Sequence, residues 1–165
     1  MLVRAIWLSW EESVMKSIDY IHDFEQWQSG FSFSLPIKVR FSETDLYGHV
    51  NNTSVFIYFE EARIEYLNSL GLFKELGQDE LGFVVADLQC NYLRQMYFNE
   101  IIHFYVKVES VGNTSFDIHY MAKNEKGEIT LTGRGRLVTI DLIKQKPQII
   151  PAAMRIVLEA EMKKQ

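Results

Sequence analysis

From Asn52 to Leu70 the chain carries apolar residues nearly all the way round a helix. Val55, Phe59, Ala62, Tyr66 and Leu70 form one stripe at helical spacing, while Phe56, Ile57, Tyr58 and Ile64 lie off it. So little polar surface remains that the helix must be covered on more than one side. Asn51, Asn52 and Thr53 are all good N-cap types and place its start, and Gly71 is a natural stop.

What covers the helix can be read from the period-two segments around it. Phe31 to Ser42 alternates and predicts a strand, with Pro36 marking an edge or an irregularity. Beyond Gly82, the segments Phe83 to Leu93, Ile101 to Val111, Thr114 to Lys123 and Glu128 to Asp141 are separated by turn signals and predict successive antiparallel strands. Ile102, Phe104, Val106 and Val108 share one face of the second of these; Phe116, Ile118, Tyr120 and Ala122 share one face of the third. In the last, Gly133 and Gly135 let something bulky approach the sheet, most simply the long helix. Pro151 opens a C-terminal helix through Met162. The order defines an α+β domain, one antiparallel sheet wrapped around one long central helix. One helix cannot cover both faces of a sheet, so the other face is either solvated or meets a second subunit.

The chain has 165 residues, enough for one domain with a sizeable core. That domain spans residues 31–165, and residues 1–30 form an N-terminal extension. In it Trp10, Val14, Ile18, Ile21 and Trp27 fall roughly at helical spacing, predicting an amphipathic helix packed on the domain or on a second subunit. Its acidic polar face argues against a membrane surface. No apolar run approaches the ~20 residues a membrane span needs. The net charge of −5 and the lack of a Lys/Arg cluster argue against nucleic acid as the main partner. A single cysteine, Cys90, excludes an intrachain disulfide and suits a reducing compartment. Glu11 and Glu12 stand where a signal peptide would be cleaved, so a cytoplasmic location is expected.

The chemistry is concentrated in the polar loop between the first strand and the long helix. Asp45 lies just ahead of a helix N-terminus, whose unpaired N–H groups can hold an oxyanion. A carboxylate there can attack a carbonyl, activate a water, or simply cap a turn. His49 either orders the loop by hydrogen bonding or acts as a base, and Glu60 is either a pocket residue or a solvated helix residue. His22, His103 and His119 have no ligand spacing, and no metal site is expected. A Gly-x-Ser-x-Gly elbow is absent, which argues against a serine hydrolase.

Val39-Arg40-Phe41-Ser42-Glu43-Thr44-Asp45, then Gly48-His49-Val50-Asn51-Asn52, then Phe59-Glu60-Glu61-Ala62-Arg63 and Glu65-Tyr66-Leu67 together resemble the hotdog-fold acyl-CoA thioesterases, in the branch similar to 4-hydroxybenzoyl-CoA thioesterase and the YbgC-like proteins. The likeness covers roughly residues 35–155. Asn52 stands where YbgC-like proteins carry a histidine, which argues against a histidine-assisted variant. The resemblance implies hydrolysis of an acyl-CoA thioester to free acid and CoA in a homodimer or homotetramer, with active sites at subunit interfaces. It implies no metal and no cofactor other than CoA as part of the substrate. It makes Asp45 the catalytic carboxylate and Asn52 and Glu60 substrate-pocket residues, and His49 in the same loop is read beside them as a substrate-binding candidate. Thiolate is a good leaving group, its thiol titrating near ~8.5, so a single carboxylate can suffice as nucleophile or general base. The competing readings are an acyl-ACP thioesterase and a non-catalytic acyl-thioester binding module.

Overall fold

The computed structural model describes residues 18–74 and 80–164. Helix α1 (Phe24–Ser29) precedes strand β1 (Phe33–Lys38), a 3-10 turn (Phe41–Glu43), the long helix α2 (Asn52–Ser69) and a second 3-10 turn (Leu72–Lys74). Strands β2 (Leu81–Tyr92), β3 (Ile101–Val111), β4 (Ser115–Lys123) and β5 (Ile129–Asp141) follow, then the short β6 (Lys146–Pro147) and helix α3 (Ala152–Met162). All pairings are antiparallel, in the order β1-β3-β4-β5-β2, with β6 paired to the end of β5.

This order corrects one expectation. Only β3, β4 and β5 are successive neighbours; β2 pairs with β5 at the far edge, and β1 pairs with β3. Turn signals mark where strands end but carry no information on a non-local partner. β1 also stops at Lys38, short of Ser42, because the chain leaves the sheet at Val39 to form the turn that buries Glu43.

The sheet curls around one side of α2, and the off-stripe residues Ile57 and Ile64, expected to be covered as well, are exposed in the single chain. Val55, Tyr58, Phe59, Ala62, Tyr66 and Leu67 are buried against the inward faces of β3, β4 and β5. Burial of a large apolar side chain such as Val55, Phe59 or Leu67 contributes about 1.5–3 kcal/mol of hydrophobic stabilisation. Phe59 stacks on Tyr120 with centroids 4.2 Å apart. Its tip fills the space above Gly133, where a Cβ would stand 2.5 Å from Phe59 Cζ. That glycine therefore does what its place in the strand suggested: it admits the helix. Met154 and Leu158 of α3 extend the same core.

The outer face of the sheet is covered in part by the chain's own N-terminal segment. Residues 18–31 run across it as a strap. Of the helix expected from Trp10 to Trp27, residues 10–17 lie outside the described residues; in the remainder Ile18 to Asp23 is irregular instead, with α1 starting only after the Asp23 cap. The irregular path lets Tyr20 reach the sheet, where its hydroxyl lies 2.9 Å from both Asn91 Oδ1 and Thr132 Oγ1. Trp27 Nε1–H donates to His119 Nδ1 at 2.8 Å, and the Lys107 ammonium sits over the rings of Trp27 and Phe31. Under this cover Lys107, His119, Met121 and Thr132 are buried. Tyr105, on the same outer face, meets the edge of Phe31.

Candidate active site

Glu43 anchors the loop that carries the candidate carboxylate. Its Oε2 accepts from the Arg40 N–H at 2.8 Å and the Tyr58 hydroxyl at 2.6 Å, and its Oε1 accepts from Arg40 Nε at 2.8 Å. Burial alone would raise the Glu43 pKa, but these donors and the Arg40 charge outweigh it and hold the carboxyl below its ordinary value. The Glu43 carbonyl accepts from the Asn51 N–H at 2.8 Å and from Ser54 Oγ at 3.1 Å. Strand exit, loop and helix start are thereby tied at one residue.

Between Glu43 and Asn51 the chain makes a closed turn. Thr44 and Val50 form an antiparallel bridge, Asp45 N–H donates to the His49 carbonyl at 2.8 Å, and Gly48 N–H donates to the Asp45 carbonyl at 3.1 Å. Gly48 has φ +77°, a conformation that a side chain would strain, so glycine is required at this corner. Asp45 Oδ1 accepts from the Tyr47 N–H at 2.8 Å and the His49 N–H at 3.1 Å. The side chain does cap a turn, and in doing so it is held rigid. Among the described residues its other oxygen, Oδ2, has no hydrogen-bond partner.

The loop is joined to the segment after β2: Val50 N–H donates to the Met96 carbonyl at 2.8 Å, and His49 bridges Tyr97. A cleft of about 320 Å³ opens between them, lined by Asp45, His49, Asn52, Tyr92, Arg94 and Met96 among others. At its edge α2 begins. Asn51 is the N-cap, its Oδ1 accepting from the Thr53 N–H at 3.1 Å. The Asn52 N–H, the first of the orphan donors at a helix start, has no acceptor among the described residues.

Three of the four site residues read from the sequence thus share one cleft. His49 contributes through its main chain, while its imidazole packs against the Tyr97 ring at 5.1 Å. Glu60 is not among the cleft's lining residues; it is exposed on α2, about 12 Å further along the helix axis from Asn52. The sequence reading gave no individual role to Glu43, which builds the loop, or to Tyr92, which lines the cleft and donates to the Asn52 carbonyl at 3.0 Å. For Glu43 there was a signal, a basic residue three positions upstream; for Tyr92 there was none.

One antiparallel sheet rolled around a single long helix, with a carboxylate loop at the start of that helix, is the hotdog fold in its thioesterase form. The chain belongs to the thioesterase-like superfamily, whose family model matches residues 39–158. It is 44% identical over 117 residues to YsmA of Bacillus subtilis, a match covering 71% of this chain and 78% of that one. It is 27% identical over 128 residues to the long-chain acyl-CoA thioesterase FadM of Escherichia coli, covering 77% and 97%. Among solved structures, a thioesterase complexed with coenzyme A and Zn from Thermus thermophilus superposes with a TM-score of 0.70 at 29% identity, covering 81% of this chain and 97% of that one. The strap and β1 precede the matched region.

Proposed function

We propose that this protein hydrolyses an acyl-CoA thioester to free acid and CoA, with Asp45 as the reacting carboxylate and the Asn52 N–H polarising the thioester carbonyl. Family membership and the acyl-CoA thioesterases among its relatives support the hydrolase reading. The observation that carries the residue assignment is the state of Asp45: Oδ1 is locked by two main-chain N–H groups, Oδ2 is uncommitted, and Asn52, whose N–H has no acceptor among the described residues, lines the same cleft. As a nucleophile, Oδ2 bonds to the carbonyl carbon, the C–S bond breaks, CoA leaves as thiolate and water hydrolyses the mixed anhydride. As a general base, it takes a proton from the water that attacks the same carbon. A single turnover in ¹⁸O-water separates the routes: water attack on the Asp45 carbonyl of the anhydride leaves label in Asp45, whereas the general-base route puts it only in the released acid.

A second copy of the chain completes the cleft in this reading. β2 is a 12-residue edge strand with Val84 and Val85 exposed, and Leu46, Tyr47 and Ile57 are exposed beside the cleft. A long edge of this kind is a template for pairing with another chain. Sedimentation equilibrium tests this directly, and a monomer would overturn it. For the reaction, a panel of acyl-CoA and acyl-ACP substrates is followed by release of free thiol. Asp45→Asn should retain CoA binding and lose most turnover; an unchanged kcat would refute the assignment.

A further inference from the structure

We propose that Tyr92 is a positioning residue for the reaction, fixing the first turn of α2 so that the Asn52 amide is kept free for the thioester oxygen. This rests on the function proposed above. Tyr92 is the last residue of β2 and lies opposite Leu131, an inward-facing residue of β5, so its ring is on the helix side of the sheet. Its hydroxyl donates to the Asn52 carbonyl at 3.0 Å, across 40 residues of sequence.

The consequence follows from which groups around Asn52 are committed. On one side the Asn51 carbonyl, in the same peptide unit as the Asn52 N–H, accepts from the Ser54 N–H at 2.9 Å, and the Asn51 side chain accepts from the Thr53 N–H. On the other side the Asn52 carbonyl is held by the Tyr92 hydroxyl. The two peptide units that flank Asn52 are therefore both pinned, and the Asn52 N–H, carried by the first of them, has no acceptor among the described residues. A helix start normally frays, because its first carbonyl is restrained only by the N–H four residues on. Here a side chain from the sheet supplies a second restraint on that carbonyl. An oxyanion donor is effective only when it is held before the charge develops, since reorganising it during the reaction costs the free energy it would otherwise contribute.

Tyr92 is suited to this task and unsuited to acid catalysis. Burial pushes its pKa up to about 12, with Cys90 adding to the effect, so the phenol remains a donor throughout the neutral range. Its proton is already directed at the Asn52 carbonyl, and a phenol committed in this way has no proton to give a leaving thiolate, which needs little help.

The test is Tyr92→Phe, which deletes the hydroxyl from a partly exposed ring and should leave the fold intact. The expected result is a kcat lowered about tenfold with KM within about twofold of wild type, the pattern of a loss confined to the transition state. The melting temperature should move by less than ~2 °C, and amide exchange of the 52–56 segment, measured without substrate, should accelerate several-fold. A wild-type kcat with wild-type exchange would overturn the inference. So would a raised KM at unchanged kcat, which would make Tyr92 a substrate contact only. If Asp45→Asn retained full turnover, the functional reading would fail separately, and the exchange measurement would still decide whether Tyr92 holds the helix start.

Discussion

The hydroxyl of Tyr58, in the second turn of α2, donates to Glu43 Oε2 at 2.6 Å, so the helix and the loop that carries Asp45 share one buried carboxylate. The same carboxylate receives the Arg40 main-chain and guanidinium donors.

Removing that carboxylate should be costly. Glu43→Ala leaves the Tyr58 hydroxyl and the Arg40 N–H without their acceptor in a site only 8% exposed, and should destabilise by about 3 kcal/mol in chemical denaturation. The pH dependence has a definite sign. The folded-state pKa is lowered, so the contribution is complete above the unfolded carboxyl value of ~4.3 and is lost as pH falls through the folded one. Glu43→Gln should flatten the acid limb of the stability curve below about pH 4.3.

His119 acts at higher pH and on the other face of the sheet. Burial lowers its pKa to about 4, with Lys107 and Arg134 working in the same direction and Glu109 and Asp117 against it. Its Nδ1 accepts the Trp27 N–H, so the buried form is neutral, and Glu109 Oε2 lies 3.3 Å from that same nitrogen. Between about pH 6.5 and 4 the unfolded chain takes up a proton that the folded chain refuses, so stability should decline across this window by up to about 3 kcal/mol. Urea titrations at pH 7 and pH 5 should show a smaller difference for His119→Gln than for wild type.

Gly133→Ala should destabilise without touching the cleft. The added methyl would meet Phe59 Cζ at 2.5 Å and the Gln89 carbonyl at 2.9 Å, while Phe59 cannot retreat because Tyr120 lies stacked behind it. Overpacking of this kind costs about 1–3 kcal/mol. Pairing the change with Phe59→Leu should return part of that loss, which a double-mutant cycle in chemical denaturation would measure.

Glu60 is exposed in one chain, so Glu60→Gln should leave the melting temperature unchanged. If a second copy brings it to the reacting thioester, turnover should nevertheless fall by about tenfold. Steady-state kinetics beside a melting curve give both answers.

What was legible in the sequence was what neighbouring residues encode. Alternation marked β3, β4 and β5 to within a residue, the cap types at Asn51 to Thr53 marked the start of α2, and the glycine at 133 announced the close approach of a helix. The loop that carries Asp45 could be delimited because strand end, glycine corner and helix cap are contiguous. What escaped is held together across the chain. Trp27 meets His119 at a separation of 92 residues, and Tyr92 meets Asn52 at a separation of 40. Neither pair has a local pattern, and the far-edge position of β2 is of the same kind, since any of the strands could satisfy its backbone.

The strap has a last consequence, for how copies of this chain can add to one another. A surface already closed by its own polypeptide has little left to offer a neighbour, and Trp27 and Tyr20 are bonded to the sheet rather than resting on it. Growth through that side would first require the protein to peel itself open. Among the described residues the strand edge of β2 and the open flank of the long helix carry no such cover, and the cleft that holds Asp45 lies outside the strap's reach.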